Sequence, residues 1–301
     1  MNFWHLTAIK HKVSFLTAGI LSLLLGCNVS AAGMKKPVFI KDKRLPEISG
    51  IAASNYYNDI FWVINDGRNP AEIYAVNSKG KVVSELAVKG AKNRDWEDLA
   101  SFKIGNKGYI AIGDIGDNRA TRSISAIYII KEPRNLKRKG KLKIEKEIYF
   151  SFEGGALDCE SMAISIAEKR IYLVSKRTNP AMLFSLPLDL QSDKTHVAAK
   201  VGDLALGENR IKSYWTGSLF FPTAMDINRS ETAMAIMSYD KVVVYRKKKG
   251  ESWHKAIKKP LIIDDYPLLK QAEAIAFVAD DLLLITSEKL PAPMLFIDFV
   301  E

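Results

Sequence analysis

The sequence predicts an all-β fold, a β-propeller of five blades, on three observations. First, one design recurs: an acid opens a short apolar strand, a turn follows, and a second apolar strand runs into another polar cluster. It is plainest from Asp95 to Asn118 and returns after Glu47, Glu160 and Glu273. Second, the repeat measures roughly 50 to 65 residues, the length of a small antiparallel sheet. Third, few stretches hold an apolar period of 3.6 residues, so no helical repeat competes.

Taken in order, Lys10 and Lys12 precede an apolar stretch, Val13 to Gly26, that is too short to span a bilayer and reads as a signal peptide over residues 1–26. Leu24-Leu25-Gly26-Cys27 resembles a lipoprotein cleavage site with Cys27 as the lipidated residue, while Val29-Ser30-Ala31-Ala32 offers ordinary cleavage. Either ending places the mature chain outside the cytoplasm, in the cell envelope (periplasm or outer membrane, lipid-anchored) or secreted. Residues 27–36 then form a linker and 37–301 a single propeller domain. The last unit, from Glu273 to Phe299, lacks one strand, and Val38 to Arg44 is expected to supply it by pairing beside Met294 to Phe299. Such pairing of the two termini leaves a propeller no open seam.

Two units match closely. Ile64 begins Ile-Asn-Asp-Gly-Arg-Asn-Pro-Ala-Glu-Ile-Tyr-Ala-Val, and Val174 begins Val-Ser-Lys-Arg-Thr-Asn-Pro-Ala-Met-Leu-Phe-Ser-Leu. In the fourth unit Thr223 stands where the others open with glutamate, and Asp226 stands in the small-residue column of Gly50, Ala100, Ala163 and Ala276. Small residues suit the innermost point of strands crowded round an axis. Leu206 to Phe221 is unassigned, which keeps six blades open.

The net charge is +10, and the two lysines before Cys27 leave +8 for the mature chain. The excess lies in Lys131 to Lys146 and Arg246 to Lys259, expected between strands. Two readings stand: solvated hairpin tips, or docking on an anionic envelope surface. Nucleic acid is not expected of an exported chain; a monomer is, with a small molecule or an envelope component as partner. Cys159 is the only cysteine besides Cys27, so no disulfide is expected, and its acidic neighbours make it a buried filler rather than a nucleophile. Only His196 and His254 follow the leader, which excludes a multi-histidine zinc site. Serine-hydrolase elbow, phosphate-loop and dinucleotide motifs are absent.

What remains is carboxylate chemistry. Two strands joined by a tight turn are antiparallel, so the opening acids of each pair fall beside its closing acids. Glu47, Glu97, Asp98, Glu160 and Glu273 begin first strands; Asp66, Asp114, Asp117, Asn118 and Glu288 close second strands. Each second strand is also followed by a base, Arg68, Arg119, Arg177, Lys241 or Lys289. Three readings stay open: a structural belt of carboxylate–guanidinium pairs, a Ca²⁺ site, or metal-free acid–base catalysis by paired carboxylates. The metal reading takes Glu47, Glu97, Asp98, Asp114, Asp117, Asn118, Glu160 and Glu273 as ligands.

Glu-Ile-Ser-Gly-Ile, Asp-Trp-Glu-Asp-Leu-Ala, Gly-Asp-Ile-Gly-Asp-Asn and Gln271-Ala-Glu-Ala-Ile resemble secreted bacterial propellers, similar in style to the SdiA-regulated and esterase-like phytase families. That resemblance implies the propeller fold and calcium held by acids near a channel mouth; it carries over no catalytic residue. Two functions are therefore expected as alternatives: a metal-dependent hydrolase of a small phosphoester or lactone, or a non-enzymatic binding or scaffold propeller.

Overall fold

The structure, a computed structural model, describes residues 37–205, 221–239, 241–266 and 269–299. The expected leader, Cys27 and the linker lie outside the described residues, as does most of Leu206 to Phe221. The described chain is all-β apart from one short helix.

Twenty strands fall into consecutive antiparallel groups of four. The first group is β2 (Ile48–Ala53), β3 (Ile60–Asn65), β4 (Glu72–Asn77) and β5 (Val82–Lys89). The second is β6 (Trp96–Ile104), β7 (Lys107–Asp114), β8 (Ser125–Lys131) and β9 (Lys139–Phe152). The third runs β10 (Cys159–Ser165), β11 (Arg170–Ser175), β12 (Met182–Pro187) and β13 (Thr195–Asp203). The fourth is β14 (Ala224–Ile227), β15 (Ala233–Met237), β16 (Lys241–Arg246) and β17 (Pro260–Asp265), with α1 (Trp253–Ala256) between its last two strands. The fifth has three strands of its own, β18 (Ala272–Ala279), β19 (Leu282–Ser287) and β20 (Ala292–Asp298), and takes β1 (Val38–Ile40) as its fourth. Among the described residues no sheet closes into a barrel.

β1 is shorter than the sequence suggests. Its partners are Val38↔Met294, Phe39↔Pro293 and Ile40↔Ala292, while residues 41–44 turn away instead of continuing along β20. Ile40 and Leu45, fully buried, hold this entry to the core.

Short apolar runs form the second strands because they are covered on both faces, as in Ile-Phe-Trp-Val-Ile of β3. The core lies between successive groups. Trp62, Ile64 and Ile73 pack against Leu99, Ile110 and Ile112, and Ala111, Ile127 and Ile148 against Met162, Ile171 and Leu173. Val174 and Leu183 meet Met225 and Ile236, and Ala235 and Val244 meet Ile275 and Ile285. The fifth group then returns to the first through Ala274, Ala276 and Leu284 against Ile51, Phe61 and Val63. Accordingly β2, β6, β10, β14 and β18 lie side by side in a cycle. Each buried Ile, Leu or Phe in these layers contributes roughly 1.5–3 kcal/mol.

The basic stretches are not plain hairpin tips. Lys139 to Lys146 form the first half of β9, a strand of 14 residues, and Trp253 to Ala256 form α1. In Lys-Gly-Lys-Leu-Lys-Ile-Glu the apolar residues alternate with charge, and Leu142 and Ile144 pack on the core between the first two groups.

Candidate metal centre and its cleft

The glutamates of the first strands reach their positions through β-bulges. The β6–β7 register passes from Trp96↔Asp114 to Asp98↔Gly113, leaving Glu97 as the extra residue. The same skip leaves out Glu160 in β10 and Glu273 in β18. A bulge re-aims its unpaired side chain, and all three carboxylates line one cavity of about 150 Å³. In β2 the skipped residue is Ser49, so Ser49 and not Glu47 stands at the glutamate phase. The small-residue column shifts with it: Ala52, not Gly50, aligns with Ala100, Ala163 and Ala276. Gly50 has its own reason to lack a side chain, since a Cβ there would lie 2.9 Å from the Leu99 amide nitrogen.

Asp66, Asp95 and Glu97 converge, with one carboxylate oxygen from each lying within 4.8 Å of the others. Two glycines make this possible. A Cβ on Gly116 would stand 2.1 Å from Glu97 Oε1 and 2.7 Å from Asp95 Oδ2, and one on Gly67 would stand 2.4 Å from Asp95 Oδ1. Asp66 accepts the Gly67 amide; the side chains of Asp95 and Glu97 accept no hydrogen bond from any described residue. Burial, then Asp66, pushes Asp95 up to about 6. Glu97 is pushed well above the carboxylate range by burial and then by Glu160, Asp66 and Asp95, and burial raises Asp66. At an effective dielectric of about 20, two such carboxylates at this range repel by about 3 kcal/mol. Three carboxylates with room between them suit a hard divalent cation, whose remaining oxygens can come from water or ligand.

Across the cavity one cation stands among the carboxylates of Glu160 and Glu273. The Lys176 ammonium pairs with Glu160 and stands 5.0 Å from the Tyr239 ring centroid. Burial opposes its charge, but Glu160 and Glu273 outweigh burial and raise its pKa. Burial raises Glu160 and takes Glu273 up to about 7. In the two closely matched units Lys176 occupies the position of Asp66, three residues before Asn-Pro. That exchange of sign was readable in the sequence and marks which side of the cavity carries its own cation.

The other expected ligands are engaged elsewhere. Asp98, fully buried, accepts the amides of Leu99, Met162 and Met225 at 2.8, 2.8 and 3.1 Å. Asp114 takes the Arg122 guanidinium at 2.8 Å and the Asp95 amide at 3.1 Å. Asp117 accepts the Arg122 amide, Asn118 accepts from Arg177, and exposed Glu47 accepts from Asn69 at 2.7 Å. Asp226, which was not among the expected ligands, accepts the amides of Ile227 and Phe277, both at 2.8 Å. The expected belt exists in part, and with one of the expected bases, Arg177. Arg177 pairs with Asp158 at 2.7 Å and Lys176 with Glu160, whereas Arg68 and Arg119 have no acidic partner among the described residues. Cys159 is a buried free thiol, pushed up by burial.

Above the carboxylates opens a cleft of about 1020 Å³ lined by Asp66, Asp95, Arg68, Arg94, Arg119 and Arg122, among others. Arg122 is held by Asp114 and the carbonyls of Gly116 and Ile124. Arg68, Arg94 and Arg119 are exposed and, among the described residues, unpaired. Arg68 sits at φ 70°, a left-handed conformation that costs a residue with a Cβ roughly 1–2 kcal/mol.

No family model and no curated protein matches the chain. Among solved structures it is similar to the major Malassezia sympodialis allergen Mala s 1, with TM-score 0.56 and 11% identity over 88% of this chain and 97% of that one. A luciferin-regenerating enzyme matches with TM-score 0.48 and 10% identity over 87% of this chain and 94% of that one. A protein of unknown function from Bacteroides thetaiotaomicron matches with TM-score 0.44 and 8% identity over 87% and 72%. The first likeness is one of fold alone.

Proposed function

We propose that the protein is an exported five-bladed β-propeller that binds Ca²⁺ through Asp66, Asp95 and Glu97 and hydrolyses a small phosphoester in the cleft above. The blade count is supported by the groups of four strands, the return of packing from the fifth group to the first, and the completion of the fifth by β1. The observation that carries the function is the asymmetry of the acidic cavity: Lys176 pairs with Glu160 beside Glu273, while Asp66, Asp95 and Glu97 converge without an ion-pair partner among the described residues, and Asp66 and Asp95 line a cleft whose Arg68, Arg94 and Arg119 are unpaired among those residues.

Of the two expected substrates, the arginines favour the phosphoester over the lactone, because a planar guanidinium matches phosphate oxygens in pairs while a neutral lactone offers no anion. Arg68, Arg94 and Arg119 would orient the phosphoryl group. A bound divalent ion would polarise its oxygen or activate water. Glu273, near 7, is placed at the cavity to hold or accept a proton.

The test is thermal. Millimolar Ca²⁺ raises the melting temperature, chelator reverses the rise, and D95N with E97Q abolishes the response, since a ligand specific to the native state stabilises it by mass action. Phosphate release from small phosphomonoesters should require the same ion and the same two residues. A melting temperature indifferent to Ca²⁺ and chelator rejects the metal site. An ion response without turnover leaves the binding propeller, a reading favoured by the ion pairs that already occupy Asp114, Asp158 and Glu160.

A further inference from the structure

A second feature lies on the outermost strands and is independent of the cavity. β5 and β9 run parallel, with Glu85↔Lys139, Ala87↔Lys141 and Lys89↔Lys143 as partners. Alternate residues of a strand share a face. Because Leu142 and Ile144 turn to the core, Lys139, Lys141 and Lys143 present the opposite face together with Lys89, and all four are exposed. Lys139 pairs with Glu85 at 2.8 Å; Lys89, Lys141 and Lys143 have no acidic partner among the described residues.

Like charges directly opposite one another on paired strands destabilise the sheet, so Lys89 and Lys143 oppose the pairing they belong to. Lys89 guards no open edge, the common use of lysine on outer strands, because β5 is paired on both flanks, by β4 and by β9, whereas residues 139–143 of β9 pair with β5 alone among the described residues. Lys89 and Lys143 thus face each other at a cost to the sheet, and with Lys141 they leave a row of unpaired positive charge on a face open to an anion.

We propose that the β5–β9 face docks on an anionic phospholipid surface. The row lies along a sheet face, and from Lys139 to Lys143 no aromatic or amide side chain shares it, so it offers neither a stacking platform nor base or sugar readout. Its charges are lysine ammoniums, strongly hydrated point charges suited to the diffuse potential of a charged surface rather than to paired recognition of one phosphate. Basic residues near such a surface act within about one Debye length, ~8 Å at physiological salt. Exposed Lys137 and Arg138, just before β9, extend the row.

Flotation of the purified protein with vesicles tests this. The protein should float with vesicles of mixed phosphatidylglycerol and phosphatidylcholine at low salt, and not with phosphatidylcholine alone. The triple variant Lys89→Gln, Lys141→Gln, Lys143→Gln should partition roughly a hundred-fold more weakly. Its melting temperature should be equal or higher, since the opposed lysines are gone. Lys248→Gln, Lys249→Gln, Lys259→Gln removes the same charge elsewhere and should float like wild type. Equal loss in both triple variants would reduce the effect to net charge and overturn the proposal. So would flotation of the first variant at wild-type level, equal binding to neutral vesicles, or retention on immobilised polyphosphate without vesicle binding, which would make a soluble polyanion the partner.

Discussion

Asp98 and Met225, 127 residues apart in sequence, meet through a hydrogen bond of 3.1 Å from the Met225 amide to Asp98 Oδ2. The same oxygen accepts the Met162 amide, and Oδ1 accepts Leu99. Leu99, Met162 and Met225 belong to first strands of three successive groups, so a single carboxylate ties β6, β10 and β14 together. Burial raises the pKa of Asp98, and the three amides act against that rise. Asp98→Ala leaves those buried donors without a partner at about 1–3 kcal/mol each, and the expected loss is roughly 3–5 kcal/mol in chemical denaturation. Asp98→Asn, which keeps one carbonyl oxygen, should lose less. A loss below about 1 kcal/mol for the alanine variant would mean that water replaces the carboxylate.

Gly116 tests the cavity without touching a charge. A Cβ there meets the flexible ends of Glu97 and Asp95, which can swing away, so Gly116→Ala should fold and spread the three carboxylates apart. The expected result is a melting temperature within a few degrees of wild type without ion, and no further rise with Ca²⁺. An undiminished response would place the ion elsewhere.

Arg68 is held in a left-handed turn where glycine would be at ease. Arg68→Gly should therefore stabilise the fold by up to about 1 kcal/mol while weakening inhibition by inorganic phosphate and raising KM for a phosphomonoester. Improved stability with unchanged KM would show that Arg68 does not meet substrate.

The repeat, its strand pairs and the acids at strand entries were legible in the sequence because apolar runs and turn residues act locally. The bulges were not. Glu47-Ile-Ser-Gly-Ile looks like the other entries, yet the skipped residue in β2 is Ser49, and the resulting shift of two residues leaves Glu47 exposed at the rim. Bulge position depends on the neighbouring strand, which no local pattern shows. Asp98 was misread for a related reason: next to Glu97 in sequence, it faces the amides of two other groups of strands, since successive side chains on a strand point to opposite faces. In the first half of β9, from Lys139 to Lys146, lysine outnumbers the apolar residues, and composition concealed an alternation that was present. Asp66 and Lys176, by contrast, were within reach, at one phase of the two units that match best.

Lys176 carries the last prediction. Lys176→Met removes the cation between Glu160 and Glu273, leaving two buried carboxylates whose folded-state pKa values already lie above the ordinary 4.5, with Glu273 near 7. A carboxylate with a raised folded pKa binds more protons in the native than in the unfolded state, so stability falls as pH rises from the unfolded value through the folded one. In the variant both folded values rise further, and the penalty is small at pH 5, where both groups stay protonated in the fold, and large at pH 8. Breaking a buried ion pair by removing one partner costs roughly 3–5 kcal/mol, and that is the loss expected at pH 8 by urea denaturation. Millimolar Ca²⁺ should restore part of it, because the ion can stand where the ammonium stood. An equal loss at both pH values, unmoved by Ca²⁺, would assign Lys176 to packing against Tyr239 and remove the asymmetry on which the metal site is argued.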